Sequence, residues 1–249
     1  MAATLSNPGD RLDFTFEGFA FTFRYCPPGV FLMGSPETEQ GRTEFEKQQR
    51  VVLTKGFGVL ETPVTQVFWR VVMGNDPSER RGDLLPVENV SWFDCQNFIN
   101  KLNDLSVAPP GLRFDLPTEA QWEYACRAGT TSAYYFDETF CAGRANCDER
   151  AIGGVYRGET TPVGAFPANP WGLFDMCGNV WEWTRDWFGE YANDDFVDPR
   201  GPKSGEYKVL RGGSWHSTPD RVRSAFRHKD PPGHRHGYLG FRLVLVPTR

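Results

Sequence analysis

The sequence predicts a single α+β domain with few helices and much irregular chain, covering residues 1–249 with its core at about 14–247. Its 26 glycines, 19 prolines and 14% aromatic residues favour turns and aromatic packing over long helices. A loop-rich chain of this length can form one domain. Helix caps and hydrophobic periodicity indicate only three helices, and short strand-like runs lie before the first helix and after the third.

Short apolar runs bounded by Gly and Pro predict the strands. The N-terminal segment 14–35 should hold two strands around the turn sequence CPPG. The charged segment 37–50 has no periodicity, so we expect a solvated loop whose charges have no functional role. The remaining predicted strands lie at residues 51–54, 163–166, 180–184, 209–210 and 240–246.

The three helices are predicted from their N-caps. Thr65, Ser91 and Thr118 each precede an amphipathic run, and their side-chain oxygens can accept a hydrogen bond from the first helical turn. An acidic or amide residue three positions after the second and third caps matches a capping box. Gly74 and Gly129 are the predicted ends of the first and third helices.

Composition also limits the class of partner. The net charge of −5 conceals a gradient, with +7 on residues 201–249 and −12 on residues 1–200. A basic end can attract anionic ligands, but its short extent argues against nucleic acid, which we do not expect to bind. No run approaches the roughly 20 apolar residues of a membrane span, and residues 1–13 contain no signal-like apolar run. We therefore expect a cytoplasmic protein without a membrane span.

Six scattered cysteines include no C-x-x-C pair, so free buried thiols are expected rather than disulfides or structural zinc.

Seven phrases follow one another along the chain: FLMGS at 31–35, ETPVTQ at 61–66, PVENVSW at 86–92, LPTEAQWEYA at 116–125, GLFDMCGNVWEW at 172–183, RGGSW at 211–215 and GFRL at 240–243. This ordered set resembles the formylglycine-generating enzyme (sulfatase-modifying factor) family. The resemblance implies a variant of the C-type lectin fold, which accounts for the long irregular stretch after the third helix.

Family membership alone does not establish an activity. The oxidases of this family bind Cu(I) through two cysteines just after the RGGSW-like phrase, and thiolates are the soft ligands that Cu(I) requires. The matching positions here are Pro219 and Ser224, neither of which can supply a thiolate. We therefore expect no copper, and an oxidase or oxygenase of the formylglycine-generating type remains the alternative function.

The resemblance also implies a structural Ca²⁺ site. Asp175 and Glu182 would provide carboxylate oxygens, and Gly178 and Val180 backbone carbonyls, which are the hard ligands that calcium prefers. The alternative is that Glu182 accepts backbone amides or pairs with an arginine.

The histidines are concentrated in one segment. All four lie within 21 residues, at His216, His228, His234 and His236. Neutral imidazoles suit Zn, Cu, Ni or Fe, so a metal site is one reading. However, the spacing matches no recognised ligand set, and Asp220 and Asp230 are the only acidic residues in that window.

In the same segment, family-like residues alternate with positions that do not match the family. This pattern resembles the variable region of target proteins of diversity-generating retroelements, in which codons randomised at adenines place diverse residues on a lectin-type framework. Most of the inserted residues are reachable from an AAC or AAT codon, although Lys229 is not. We call the predicted binding residues the recognition surface: Trp215, His216, Ser217, Thr218, Asp220, Arg221, Phe226, His228, Lys229, Asp230, His234, His236 and Tyr238.

The predicted function is therefore non-catalytic binding of a protein, peptide or small-molecule ligand. Aromatic, imidazole, guanidinium and hydroxyl groups on loops are suited to recognition. Ordinary divergence of surface loops within the family would also produce such positions.

Overall fold

A computed structural model describes residues 6–191 and 196–248, and within these residues the α+β prediction is confirmed. There the chain forms three α-helices, α1 (Gln66–Met73), α2 (Trp92–Asp104) and α3 (Glu119–Arg127). The described strands are β1 (Arg11–Phe16), β2 (Phe19–Cys26), β3 (Gly29–Met33), β4 (Gln49–Leu53), β5 (Phe57–Leu60), β6 (Leu112–Asp115), β7 (Trp181–Trp187), β8 (Phe196–Val197), β9 (Lys208–Arg211), β10 (His228–Asp230), β11 (Leu239–Gly240) and β12 (Val244–Pro247).

The strands form three sheets. The largest has the order β1-β2-β5-β12-β6, so the last strand inserts between two strands from the first half of the chain. A second sheet, β10-β9-β7-β11, carries most of the C-terminal segment, and β11 pairs with β7 in parallel. The third has the order β3-β4-β8. This topology brings both ends of the chain into one core.

The predicted N-caps of all three helices are confirmed. The Thr65 hydroxyl accepts from the backbone N–H of Phe68, and Ser91 and Thr118 each form a complete capping box. Gly74 ends α1 in the left-handed conformation, at φ +78°. None of the helices in the described chain is long and apolar enough to cross a membrane.

Several local predictions were wrong. Segment 14–35 contains three strands, because the adjacent positive φ angles of Glu17 and Gly18 allow a tight hairpin. Residues 163–166 form no strand. The predicted strand at 240–246 is divided into β11 and β12. The third helix ends at Arg127, with Ala128 and not Gly129 as its left-handed cap.

Segment 37–50 is not the simple solvated loop that its charges suggested. Glu46 is fully buried, and its carboxylate accepts hydrogen bonds from the Arg223 guanidinium at 2.8 and 3.0 Å. Glu39 pairs with the same arginine. Two acidic side chains therefore attach this loop to the C-terminal segment.

Candidate ligand-binding surface

Beneath the C-terminal segment lies a framework of four buried arginines, Arg211, Arg223, Arg227 and Arg242. Each pairs with a buried glutamate from an earlier part of the chain, in the same order Glu123, Glu46, Glu119 and Glu182. Buried charges are tolerated only when they are paired and hydrogen-bonded. These contacts therefore attach the segment to the domain at four separate points.

All four arginines also donate hydrogen bonds to backbone carbonyls of the segment and its neighbours. Arg211 donates to the carbonyls of Ser224, Ala225 and Phe226 at 2.6 to 2.8 Å. Arg227 donates to the carbonyl of Phe45 at 3.0 Å. Because these carbonyls belong to irregular chain, the arginines replace the hydrogen bonds that a regular sheet would supply.

A glycine turn directs the chain from β9 toward the surface. Gly213 has φ +74°, and a Cβ atom there would lie 2.4 Å from Cγ1 of Val222. Only glycine satisfies both constraints. The close approach allows residues 214–222 to fold back over the framework.

Twelve of the thirteen residues of the recognition surface are exposed or partly exposed, whereas the interleaved family-like residues Ser214, Arg223, Ser224, Ala225 and Arg227 are buried. The exception is Ser217, which is 5% exposed. Its hydroxyl accepts from the Ser214 backbone N–H at 3.0 Å and closes a turn. Its assignment to the surface was wrong, because the hydroxyl satisfies a buried backbone amide instead of facing solvent.

Aromatic and imidazole rings connect one side of the recognition surface. The ring of Trp215 meets that of His216 edge-on, with 5.3 Å between ring centres, and the ring of Tyr238 stacks on that of His236, with 4.9 Å between ring centres. The rings of His216 and Tyr238 are 6.4 Å apart and nearly parallel. The Trp215 indole N–H also donates to the carbonyl of Gly237 at 3.1 Å. Residues distant in sequence thus form a continuous row of planar groups.

A second row of rings includes His228 at the start of β10. The ring centre of His228 lies 5.0 Å from that of Trp181, and the ring centre of Trp181 lies 6.0 Å from that of Phe226. Burial, together with the nearby charges of Arg221 and Lys229, lowers the pKa of His228, and Asp230 opposes this shift. A neutral imidazole can both donate and accept a hydrogen bond, which suits recognition of polar partners.

An open groove of about 440 Å³ adjoins this row. The Lys229 ammonium lies 4.7 Å from the ring centre of Phe188 and 5.8 Å from that of Phe45, and both rings line the groove together with Phe226 and His228. Such a groove offers apolar contact beside a positive charge.

Sequence reasoning missed four residues at this surface. The Tyr156 hydroxyl lies 3.2 Å from Nδ1 of His216, and the Arg150 guanidinium covers the same tyrosine ring at 4.3 Å. Phe45 and Phe188 flank Lys229. All four lie outside the C-terminal segment in sequence, and no motif marks them, so only the folded chain brings them to this surface.

The two positions that match the copper ligands of the family, Pro219 and Ser224, form hydrogen bonds with other parts of the domain. The Pro219 carbonyl accepts a hydrogen bond from the Tyr134 hydroxyl at 3.0 Å. Ser224 is fully buried, with its hydroxyl 3.6 Å from the Cys126 sulfur. These contacts give both residues structural roles.

The four residues of the predicted calcium site, Asp175, Gly178, Val180 and Glu182, are all buried. Both oxygens of Glu182 accept hydrogen bonds from Arg242, at 2.7 to 3.0 Å, and Oε2 also accepts from the Trp122 indole at 2.7 Å. The arginine alternative for Glu182 is therefore what the structure shows. Burial raises the pKa of Asp175 to about 6, and its Oδ2 accepts from the Gly164 backbone.

Comparison with known proteins places this geometry in a family. The family model for the sulfatase-modifying factor enzyme 1-like domain matches residues 24–246. The formylglycine-generating enzyme of Streptomyces coelicolor is 36% identical over 216 residues, which cover 78% of this chain and 66% of that protein. The serine/threonine-protein kinase pkn1 of Chlamydia caviae is 39% identical over 164 residues, covering 64% of this chain and 24% of the kinase. The chain therefore spans about a quarter of that kinase and about two thirds of that enzyme.

Solved structures extend the similarity to nearly the whole chain. Treponema denticola variable protein 1 matches with a TM-score of 0.81 and 28% identity, covering 95% of this chain and 99% of that one. PvdO from Pseudomonas aeruginosa matches with a TM-score of 0.82 and 27% identity, covering 96% and 99%. The predicted C-type-lectin-like fold and the predicted resemblance to a variable protein are confirmed, and the chain belongs to the sulfatase-modifying factor (formylglycine-generating enzyme) family.

Proposed function

We propose that this protein is a non-catalytic ligand-binding protein that presents a variable recognition surface, in the manner of the target proteins of diversity-generating retroelements. The observation that carries the proposal is the alternation of burial along residues 211–242. Family-like residues other than Arg235 lie in the arginine-anchored framework, while the unusual residues other than Ser217 are exposed or partly exposed. Substitution at exposed positions rarely changes stability by more than about 0.5 kcal/mol, so this arrangement tolerates diversity.

The chemistry of the surface favours a peptide or protein ligand. Planar side chains such as Trp215, His216 and Tyr238 provide large contact areas at a low cost in conformational entropy. Lys229 and Arg221 add positive charge beside them. A partly acidic segment with an aromatic or aliphatic side chain would complement both features.

Binding is tested by selecting peptides from a random display library against the purified full chain in EDTA. For the tightest peptide, His216→Ala and Tyr238→Ala should each weaken affinity by about tenfold or more, as expected for central interface residues. Lys101→Ala is the matched control, because Lys101 is exposed near the far end of α2. Equal affinities for all four proteins would contradict the proposed surface.

The alternative is an oxidase or oxygenase, which the 36% identity to a formylglycine-generating enzyme favours. Incubating the chain with Cu(I), oxygen and a cysteine peptide derived from a sulfatase would reveal such an activity. Multiple turnovers would overturn the non-catalytic proposal. In the encoding DNA, a template repeat and a reverse-transcriptase gene beside the coding sequence would support the retroelement link, and their absence would remove it.

Calcium binding at Asp175, Gly178 and Val180 stays a prediction. Glu182 does not fit the predicted ligand set as it stands, because Arg242 and Trp122 already use both of its oxygens. Burial also raises the pKa of Asp175 and so disfavours the ionised form that a calcium ligand requires.

A further inference from the structure

Three metal-ligating side chains of the recognition surface converge on one point. Asp230, His234 and His236 each offer a ligand atom, and the three atoms lie within 4.8 Å of one another. Nδ1 of His234 is 2.8 Å from Oδ1 of Asp230, and Nε2 of His236 is 3.8 Å from Oδ2 of the same carboxylate. In the described parts of the chain this is the one such group of three. The spacing i, i+4, i+6 converges because the loop after β10 turns back on itself.

These separations between ligand atoms suit a metal ion with tetrahedral coordination. Zinc binds imidazole nitrogen and carboxylate oxygen at about 2.0–2.2 Å, which places neighbouring ligand atoms about 3.3 Å apart. The observed distances of 2.8 and 3.8 Å lie on either side of that value. Because all three ligand atoms lie within 4.8 Å of one another, side-chain rotations that even out these separations would complete the site.

The loop that carries the ligands is already held in place. The Trp92 backbone N–H donates to the carbonyl of Pro232, and that of Asn89 donates to the carbonyl of His236, both at 3.0 Å. Arg235 forms two hydrogen bonds with Asp94, at 2.7 and 2.9 Å. Two backbone contacts and one bidentate ion pair thus anchor the loop to the start of α2, so the ordering cost of metal binding is low.

The neighbouring groups favour a cation at this point. The Arg235 charge is matched by Asp94, and Tyr238 stacks on His236 and orients its ring. His234 and His236 retain about half of their side-chain exposure, at 54% and 42%. An ion can therefore reach the site from solvent.

We infer that Asp230, His234 and His236 bind a divalent transition metal ion of the Zn²⁺ class. Two imidazoles and one carboxylate are a ligand set suited to zinc, nickel or copper rather than calcium. Three protein ligands leave at least one coordination position, which water or a donor atom of a bound partner would fill. Metal binding does not depend on the proposed recognition of peptides, since zinc uptake is measurable without a partner.

The test is calorimetric titration of Zn²⁺ into the full chain after removal of metals with EDTA and exchange into metal-free buffer. The wild-type chain should bind one ion. Asp230→Asn and His236→Gln should each weaken affinity at least about tenfold, the range seen even when supporting residues of metal sites are lost. The ligands are surface residues, so the melting temperature in EDTA should match the wild-type value.

Two control variants identify the site. His216→Gln removes a histidine of the same surface outside the triad, and Cys141→Ser removes the exposed thiol; both should bind zinc like the wild type. Absence of saturable one-to-one binding in the wild type would overturn the inference, as would loss of binding in either control but not in the triad variants. Peptide selection is carried out in EDTA, so failure of zinc binding and failure of recognition are separate results.

Discussion

Replacing Glu182 by glutamine should lower the free energy of unfolding by about 3–5 kcal/mol, the usual cost of removing one partner from a buried ion pair. The Arg242 side chain is fully buried, and the carboxylate of Glu182 is its charged partner. Oε1 accepts two hydrogen bonds from Arg242, while Oε2 accepts from Arg242 and Trp122. In either orientation the amide of glutamine would point an N–H₂ group at an N–H donor. The cost therefore combines an uncompensated charge with an unsatisfied hydrogen bond.

The assay is urea unfolding of four proteins: wild type, Glu182→Gln, Arg242→Met and the double variant. The double variant should be less destabilised than the sum of the single variants, by up to about 3 kcal/mol, because residues in direct contact are not independent. Additive effects, or a cost below about 1 kcal/mol for Glu182→Gln, would refute the reasoning.

The same series decides between arginine pairing and calcium binding. If Arg242 is the partner, the cost of Glu182→Gln is the same in millimolar Ca²⁺ and in a calcium chelator. If Glu182 ligates calcium, the wild type gains stability from the ion and the variant loses that gain. A cost that appears only in calcium would therefore restore the predicted ligand.

Three further predictions concern the stability of the fold. Burial raises the pKa of Asp186 to about 7, so the folded protein keeps a proton on this carboxyl that the unfolded chain releases near pH 4. Between pH 4 and pH 8 the free energy of unfolding of the wild type should therefore fall by up to about 4 kcal/mol relative to that of Asp186→Asn. A difference in unfolding free energy that stays constant over this pH range would contradict the prediction. Ser91→Ala should cost about 1 kcal/mol by removing the cap of α2, measured by urea unfolding against Ser91→Thr as control. Gly34→Ala should cost several kilocalories per mole more than Gly74→Ala, because both have positive φ but only at Gly34 would Cβ lie 2.6 Å from a carbonyl oxygen; equal melting temperatures would refute the steric argument.

Local features of the sequence predicted much of the fold. The N-caps of all three helices are confirmed, because an N-cap depends on a side chain and a backbone N–H only three residues away. The strands at β4, β7 and β9 were found within a few residues. The hairpin at Glu17 and Gly18 was missed because a non-glycine residue with positive φ gives no strong sequence signal.

Parts of the candidate surface were also predictable. The alternation of family-like and unusual residues indicated which side chains are buried, with two exceptions: Ser217 is buried, and the family-like Arg235 is exposed. A serine hydroxyl can close a turn as readily as it can face solvent, and Arg235 pairs with Asp94 at the surface. Tyr156 and Phe188 were not found, because their approach depends on packing between distant segments.

By itself, then, the sequence determined the family, the capped helices and the segment that carries the unusual side chains, since each is recorded in neighbouring residues or in an ordered set of phrases. Only the tertiary structure decided which charged side chains form ion pairs and which metal-ligating side chains lie close together. Glu46 can be buried because the guanidinium of Arg223, 177 positions later in the chain, donates hydrogen bonds to its carboxylate at 2.8 and 3.0 Å. Asp230, His234 and His236 converge for the same kind of reason, because backbone contacts to α2 and the Arg235–Asp94 pair hold their loop in a turn that their spacing does not encode.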